Sequence, residues 1–447
     1  MGAQGDRRQS SVALILCSVF VGAMLTGCVQ HQSPATSSTS ESESRQPGAS
    51  VWASHTESGT PVRNETPVSQ QAGSESAAQL TAHARTGDPK AQLALAVAYF
   101  RGEGVPQNDA KAVEWSRKAA EQGDADAQNN LGWLYANGRG VPKDFNEAVD
   151  WYLKAAKHGH MQAQRNLAVI YDNGMGMPRD YTKAAHWYRK AADQGDAEAQ
   201  YDLGVMYVKG DGVQKSNAEA IRWYRKSAEQ GYAPAQTNLG GIYAQGRGVP
   251  KSNRQAVEWY RKAAVQGYYG AQYNLGQLYL EGKGVPQDFA QAAAWLGKAA
   301  EQGYAPAQAA VGVLYAQGAG VPQSSNKAAQ WIRKAAEQGH IPAQATLALM
   351  YLKGEGVAQN YAKAAKWVRN PAEHGIADAQ LTLGILYAQR TGVPQDYVTA
   401  GKWFLLAQAG GAEKAADALA MLDKQLTRAQ MESAQQAARA WAADHRN

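Results

Sequence analysis

The sequence predicts an all-α solenoid of nine two-helix repeats, each 36 residues long. A fixed period of this length is typical of stacked helical repeats. The tyrosine marker recurs from Tyr99 to Tyr387 and the tryptophan marker from Trp115 to Trp403 without slippage. The third marker is a glutamine, found at Gln92, Gln128, Gln164, Gln200, Gln236, Gln272, Gln308, Gln344 and Gln380.

Length, charge and cysteine content narrow the class of protein. A chain of 447 residues would suggest about three globular domains, but a solenoid is one elongated body whose repeats contact only their neighbours. The formal net charge of +6 is spread thinly, unlike the clustered Lys and Arg of a nucleic-acid-binding protein. The two cysteines, Cys17 and Cys28, precede the repeats, so the repeats contain no disulfide and no cysteine-based metal site.

Residues 1–27 are predicted to be a signal peptide. Arg7 and Arg8 precede a mostly apolar run over 12–25, which is shorter than the roughly 20 residues that span a bilayer. The ending Leu-Thr-Gly-Cys28 resembles the lipobox of bacterial lipoproteins. That resemblance implies lipidation of Cys28 and a periplasmic protein anchored by its acyl chains, and Val29 implies the outer rather than the inner membrane. An ordinary signal peptide with a chance cysteine is the alternative.

The rest of the chain divides by composition. Residues 28–75 are rich in Ser and Thr and poor in apolar residues, which predicts a flexible tether. Residues 76–87 resemble half a repeat and form an N-terminal cap, 88–411 hold the nine repeats, and 412–447 are predicted to form a C-terminal helical cap. End repeats of a solenoid need such caps because each repeat buries its apolar face on a neighbour.

Each repeat reads as two helices, which we call helix A and helix B. In the copy at 196–231, Ala199, Leu203 and Tyr207 lie on one stripe of helix A. A Gly-x-Gly turn follows, and the stripe of helix B centres on the recurrent tryptophan, which is predicted to lie in the core. Arg390 in place of a turn glycine and Pro371 inside a helix B predict irregular eighth and ninth repeats.

The pattern Ala-x-Ala-Gln-x-Asn-Leu-Gly-x-x-Tyr, Gly-x-Gly-Val-Pro, Ala-x-x-Trp-x-x-Lys-Ala-Ala resembles Sel-one-like repeats, a branch of the tetratricopeptide-like α-solenoids. The resemblance covers about 88–411. It implies a right-handed superhelix with helix A on the concave side. It also implies protein recognition and scaffolding rather than catalysis.

Positions at which the copies differ are candidates for binding a partner. Trp133 occupies a position that is aliphatic in most other repeats. An exposed tryptophan is a typical anchor for a binding partner. Amides can bond an extended peptide backbone in both directions. The polar candidates on helix A form a ladder with flanking residues: Asn130, Asn166, Asp202, Asn238, Asn274, Gln277, Tyr201 and Tyr273. Two alternatives stay open, namely that the asparagines bond a neighbouring helix and that Trp133 is buried.

An arginine also recurs in helix B, two residues after the tryptophan. A row of such arginines could bind an anionic polymer or lipid. However, acidic residues four positions further on favour i,i+4 ion pairs within helix B. The arginines are Arg117, Arg189, Arg225, Arg261, Arg333 and Arg369.

No catalytic motif, cofactor site or metal site is predicted. Ser324 and Lys327 match Ser-x-x-Lys but lie where a helix should start, and His158 and His160 straddle a turn. We therefore expect a non-enzymatic, lipid-anchored periplasmic scaffold. It would bind protein partners of the cell envelope through the concave face, in envelope assembly or secretion. A solenoid that binds peptidoglycan or polysaccharide is the alternative.

Overall fold

The structure is a computed structural model that describes residues 76–445. The predicted signal peptide, Cys28 and the tether to residue 75 lie outside the described residues. The described chain forms 21 α-helices and no β-strand, and the expected all-α solenoid of two-helix repeats is confirmed. It divides into an N-terminal unit, 76–252, and a C-terminal unit, 253–445, with the boundary between the two helices of the fifth repeat.

In the N-terminal unit a leading helix is followed by alternating helices A and B. They are α1 Ala77–Arg85, α2 Pro89–Arg101, α3 Asp109–Glu121, α4 Ala125–Asn137, α5 Phe145–Lys157, α6 Met161–Asn173, α7 Tyr181–Asp193, α8 Ala197–Lys209, α9 Asn217–Glu229 and α10 Ala233–Gln245.

The C-terminal unit begins with a helix B and ends with two helices outside the repeat pattern, both packed on α19. The helices are α11 Asn253–Val265, α12 Tyr269–Glu281, α13 Phe289–Glu301, α14 Ala305–Gln317, α15 Ser325–Glu337, α16 Ile341–Lys353, α17 Tyr361–Glu373, α18 Ala377–Gln389, α19 Tyr397–Ala409, α20 Ala415–Asp423 and α21 Arg428–Asp444.

The prediction of irregular eighth and ninth repeats is wrong. Their four helices have 13 residues each, like the other repeat helices. Pro371 lies in the last turn of α17, so the one N–H bond that it removes is near the helix end, and the helix still continues to Glu373. Arg390 adopts the left-handed φ of 57° that glycine takes at the same turn of the other repeats, so the turn survives the substitution.

Most helices begin with a side-chain cap. Asp196 accepts a bond from the Ala199 N–H at 2.7 Å at the start of α8, and Ser324 caps α15 in the same way, which confirms Ser324 as a helix cap. Four helices A begin without such a bond, at N-cap residues Tyr232, Tyr268, Tyr304 and Ile376.

The recurrent tryptophan is less buried than predicted. Trp223 is buried, but Trp259 and Trp295 are half-buried, and a lysine three residues on lies over each ring at 4.2 Å. Long lysine side chains can cover an aromatic face while keeping the ammonium in water. The core is filled instead by the helix A leucines and by the residue after the tryptophan, as at Tyr152 and Leu296.

Glycines within helix A make room for helix B. A Cβ on Gly204 would lie 2.7 Å from the Tyr224 ring, and one on Gly276 would lie 2.6 Å from Leu296. Such distances are too short for carbon atoms, so the two helices approach only because helix A lacks a side chain there. In these repeats the glycine is therefore a packing requirement, whereas Ala96, Ala168 and Ala348 fill the same position in the first, third and eighth repeats.

The recurrent glutamine joins three helices. In the fourth repeat, Gln200 Nε2 donates to the carbonyl of Ala192 at 3.0 Å, near the end of the preceding helix B. Its Oε1 accepts from Gln230 Nε2 at 2.8 Å, on the helix B of the same repeat. All nine glutamines make the first bond, to the carbonyls of Ala84, Ala120, Ala156, Ala192, Ala228, Ala264, Ala300, Ala336 and Ala372.

The recurrent arginines bond tyrosines, not the acidic residues four positions on. Arg225 donates to the Tyr243 hydroxyl at 3.2 Å and Arg261 to the Tyr279 hydroxyl at 3.0 Å. The same pairing, 18 residues apart, joins Arg117 to Tyr135 and Arg189 to Tyr207. The expectation of i,i+4 pairs is wrong because the tyrosine of the next helix A lies within reach of the guanidinium.

Two glycine substitutions test this packing. We expect Gly204→Ala to lower the free energy of unfolding by about 1–3 kcal/mol, because the Tyr224 ring must move. Gly297→Ala on α13 is the matched control, since its Cβ would meet no atom within 4 Å and helix propensity should raise stability by up to about 1 kcal/mol. Urea unfolding followed by circular dichroism measures both, and stabilisation by Gly204→Ala would contradict the packing.

Candidate partner-binding surface

The polar ladder on helix A is not a continuous surface. Asn130 and Asn166 are fully buried at 0% exposure, so the expectation that they meet a partner is wrong. Asn166 Nδ2 donates to Asn129 Oδ1 at 3.2 Å, which joins the helices A of adjacent repeats. This is the structural alternative raised by the sequence. At Asn166 the position two residues after the glutamine therefore faces the preceding repeat.

Trp133 is half-buried and packs within the stack. Its ring lies edge-to-face on Phe100 of the preceding repeat, with ring centroids 5.6 Å apart and planes at 87°. Such pairs add stability beyond the area they bury. Trp133 therefore supports the contact between two repeats, and only part of it remains for a partner.

Three other predicted residues converge on one buried tyrosine in the N-terminal unit. Tyr201 is half-exposed, and its ring centroid lies 5.7 Å from that of Tyr224. Burial raises the pKa of Tyr224; Tyr201 and Asp202 add to this, while Asn238 opposes it. Asp202 is buried and Asn238 is half-buried. The structure thus brings Tyr201, Asp202 and Asn238 together, and binding by them stays a prediction.

The same region carries a buried cation that sequence reasoning missed. Arg165 is 7% exposed, pairs with Glu198 and lies 3.7 Å from Asp196. Burial disfavours its charged form, but the carboxylates of Glu198 and Asp196 outweigh this and raise the pKa of Arg165. Together with Asp202, these groups form a largely buried ionic cluster between the third and fourth repeats, of which Glu198 is the exposed member.

The C-terminal unit presents a different surface. Tyr273, Asn274 and Gln277 of α12 are all half-exposed, as predicted residues of a binding face would be. Tyr273 does not stand alone, because its ring centroid lies 5.2 Å from that of Tyr304. We call the cluster Tyr268, Tyr269, Tyr273 and Tyr304 the tyrosine patch.

Three members of the tyrosine patch escaped prediction. Tyr304 contacts Tyr269 with centroids 5.1 Å apart, and Tyr269 contacts Tyr268 at 5.6 Å. Their sequence signal was an aromatic residue at or beside the helix A N-cap, where Asp88, Asp124 and Asp196 stand in other repeats. A comparison of the nine repeats at the N-cap of helix A would have identified these tyrosines.

The charge of helix A varies from repeat to repeat. In the C-terminal unit, α14 has no charged residue and α12 has one, Glu281, at its last position. In the N-terminal unit, α8 alone carries Glu198, Asp202 and Lys209. We use the term helix-A face for the half-exposed residues of helix A in either unit.

Other kinds of site find little support within residues 76–445. No cluster of three or more His, Cys, Asp or Glu is placed to hold a metal ion there. No helix among these residues is long and apolar enough to cross a membrane. One open cleft of about 510 Å³ lies between α7 and the turn before α9, lined by Arg189, Tyr207, Lys215 and Glu219 among others.

The helix pairs recur with nearly constant core residues and differ mainly on one face. This combination is typical of repeat proteins that present a surface to partners. The chain belongs to the Sel1 repeat family. The family model matches nine segments, 89–124, 125–160, 162–196, 197–232, 233–268, 270–304, 305–340, 341–373 and 377–411. Sel1 repeat proteins are generally protein-interaction scaffolds, and the fold is typically non-enzymatic.

Two solved structures are similar over most of the chain. A protective antigen of uropathogenic Escherichia coli strains that displays an SLR fold is 38% identical, with a TM-score of 0.74, covering 82% of this chain and 79% of its own. A Sel1 repeat protein from Oxalobacter formigenes is 30% identical, with a TM-score of 0.54, covering 83% of this chain and 99% of its own. No curated protein matches.

One helix of the C-terminal unit should be sensitive to pH. His340 caps α16 through Nδ1, which accepts from the Ala343 N–H at 3.3 Å, and burial lowers the pKa of His340. The folded state therefore takes up a proton less readily than the unfolded chain. The contribution of the neutral His340 cap to the free energy of unfolding is present above the ordinary histidine pKa of about 6.5 and is lost as the pH falls below it.

We expect the parent to lose about 0.5–2 kcal/mol more stability between pH 7.5 and 5 than His340→Asn, whose cap does not titrate. Urea unfolding at the two pH values measures the difference. An identical pH dependence in parent and variant would show that the His340 cap contributes nothing.

Proposed function

We propose that this chain is a lipid-anchored periplasmic scaffold that binds proteins of the cell envelope through the helix-A face. Membership of the Sel1 repeat family supports the general role of protein-interaction scaffold. The envelope location, the lipid anchor and a part in envelope assembly or secretion are the further steps of the proposal.

One observation supports the choice of surface. On α8, Leu203 and Tyr207, whose positions are nearly the same in every repeat, are buried, whereas Tyr201 and Val205, whose positions hold several different residue types among the repeats, are half-exposed. Residues that hold the stack are under the same packing constraint in every repeat. Residues on the helix-A face are not under that packing constraint, so they can vary to match a binding partner.

The location rests on the N-terminal sequence. Leu-Thr-Gly-Cys28 resembles a lipobox, so we propose a signal peptide over 1–27, acylation of Cys28 and a tether over 28–75. Two or more acyl chains hold a protein stably on a membrane, whereas one does not. The tether would allow the repeats to reach partners away from the bilayer, with the outer membrane as the proposed site because Val29 follows the cysteine.

Site-specific photocrosslinking in intact cells tests the function. p-Benzoylphenylalanine at Val205 or Gln277 should yield discrete adducts with an envelope protein. The same residue at Ala294, exposed on helix B, is the control and should yield none. Adducts of equal yield from all three positions, or none from Val205 and Gln277, would contradict the proposal.

Two further experiments test the lipid anchor and the type of ligand separately. Cys28→Ser should move the protein from the membrane fraction to the soluble fraction and reduce the adducts, because the anchor brings it to its partner. An unchanged membrane fraction would refute the lipid anchor alone. Retention of the purified protein on peptidoglycan sacculi without any protein adduct would favour the glycan-binding alternative.

A further inference from the structure

A buried ion cluster joins the third repeat to the fourth. Arg165 of α6, one residue after the recurrent glutamine, pairs with Glu198 of α8 and lies 3.7 Å from Asp196. The carboxylate of Asp202 is close enough to favour its charged form. Arg165 is 7% exposed, so it depends on these carboxylates, because an uncompensated charge inside a protein is costly. We call these four residues the Arg165 cluster.

The residues of the Arg165 cluster are specific to these two repeats. Arg165 is the one Lys or Arg among the residues that follow the recurrent glutamine, which are Leu93, Asn129, Arg165, Tyr201, Thr237, Tyr273, Ala309, Ala345 and Leu381. The fourth repeat alone has carboxylates at all three positions that act on Arg165, whereas the second repeat has two and every other repeat has at most one. In the fifth repeat the three positions hold Tyr232, Pro234 and Asn238.

The next junction uses a different chemistry at the same positions. The ring of Tyr201 lies on that of Tyr232, the N-cap residue of α10, with centroids 5.4 Å apart and planes at 64°. Tyr273 and Tyr304 make the same pair between the sixth and seventh repeats, at 5.2 Å. If the third repeat packed on the fifth, Arg165 would face Tyr232 and no carboxylate. A tyrosine ring attracts a cation but has no charge to offset that of a buried guanidinium.

Repeats that are nearly alike can pack in the wrong order. The glutamine, alanine and tyrosine markers recur in all nine repeats, so they do not distinguish one neighbour from another. Misassembly and domain swapping are characteristic failures of repeat proteins. A contact that only two repeats can make would prevent such pairing, within one chain or between two copies.

We propose that the Arg165 cluster determines the register of the stack, so that the third repeat packs on the fourth and on no other repeat. Buried polar and ionic groups fix the register of helices in other packed assemblies. This role is independent of the proposed function, because it concerns which repeat packs on which and not what the solenoid binds.

A register determinant differs from a stabilising contact in what its loss does. Replacement of a whole buried ion cluster by neutral residues often leaves stability unchanged or raises it, whereas removal of one partner leaves a buried charge. A neutral variant with Arg165→Met, Asp196→Asn, Glu198→Gln and Asp202→Asn should therefore keep or raise the urea midpoint of the parent, since asparagine still caps α8. Arg165→Met alone should lower that midpoint.

Refolding of the purified protein from urea at several protein concentrations, followed by size-exclusion chromatography with light scattering, tests the register itself. The parent should return to the mass that it had before unfolding. The neutral variant should return partly as larger oligomers, and their share should grow with protein concentration. The reason is that a repeat without its correct neighbour exposes its apolar face to a second copy.

Arg254→Met with Glu258→Gln is the matched control, because this ion pair is exposed and lies within the single helix α11. It should refold like the parent. Refolding of the neutral variant to the parent's mass at every concentration overturns the proposal. A neutral variant as unstable as Arg165→Met also overturns it and makes the cluster a stabilising contact without a role in register.

Discussion

A buried glutamine in each helix A bonds the carbonyl of an alanine near the end of the preceding helix B, eight residues earlier. The same carbonyl accepts the N–H of the glycine that follows helix B, as Ala192 accepts from Gly195 at 3.1 Å, and a carbonyl oxygen has room for two such bonds. The glutamine therefore adds a second, buried bond to that carbonyl from the next repeat, and losing it would leave the buried amide of the glutamine position without its partner. The glutamine oxygen also accepts an amide N–H from the C-terminal end of the helix B of its own repeat at Gln92, Gln164, Gln200, Gln272, Gln308 and Gln344.

This bond sets requirements for the residues around it. The alanine before the glutamine is buried in every repeat, and the helices approach so closely that glycine is needed opposite Tyr224. Insertion of one residue between the alanine carbonyl and the glutamine would break the contact. The strict period of 36 residues therefore follows from local geometry repeated along each unit, and residues outside that contact are left to vary.

Sequence reasoning recovered the repeat, the helix pairs and the turns because these depend on local periodicity. It placed Tyr273, Asn274 and Gln277 correctly on a half-exposed strip. It failed for Asn166, because periodicity defines a stripe but not which edge of the stripe meets the preceding repeat. It failed for Arg225 because the tyrosine partner lies 18 residues away, on another helix. Tyr304 was missed because it stands at the N-cap, outside the helical stripe that periodicity defines.

The central claim is that the glutamine bonds hold neighbouring repeats together. Urea unfolding of two matched variants in the N-terminal unit tests it directly. Gln200 makes bonds through both Nε2 and Oε1, whereas Gln128 bonds through Nε2 and its Oε1 has no partner. Gln200→Met should lower the free energy of unfolding by about 2–3 kcal/mol and Gln128→Met by about 1–2 kcal/mol. Unchanged stability in both variants, or a larger loss for Gln128→Met, would contradict the account.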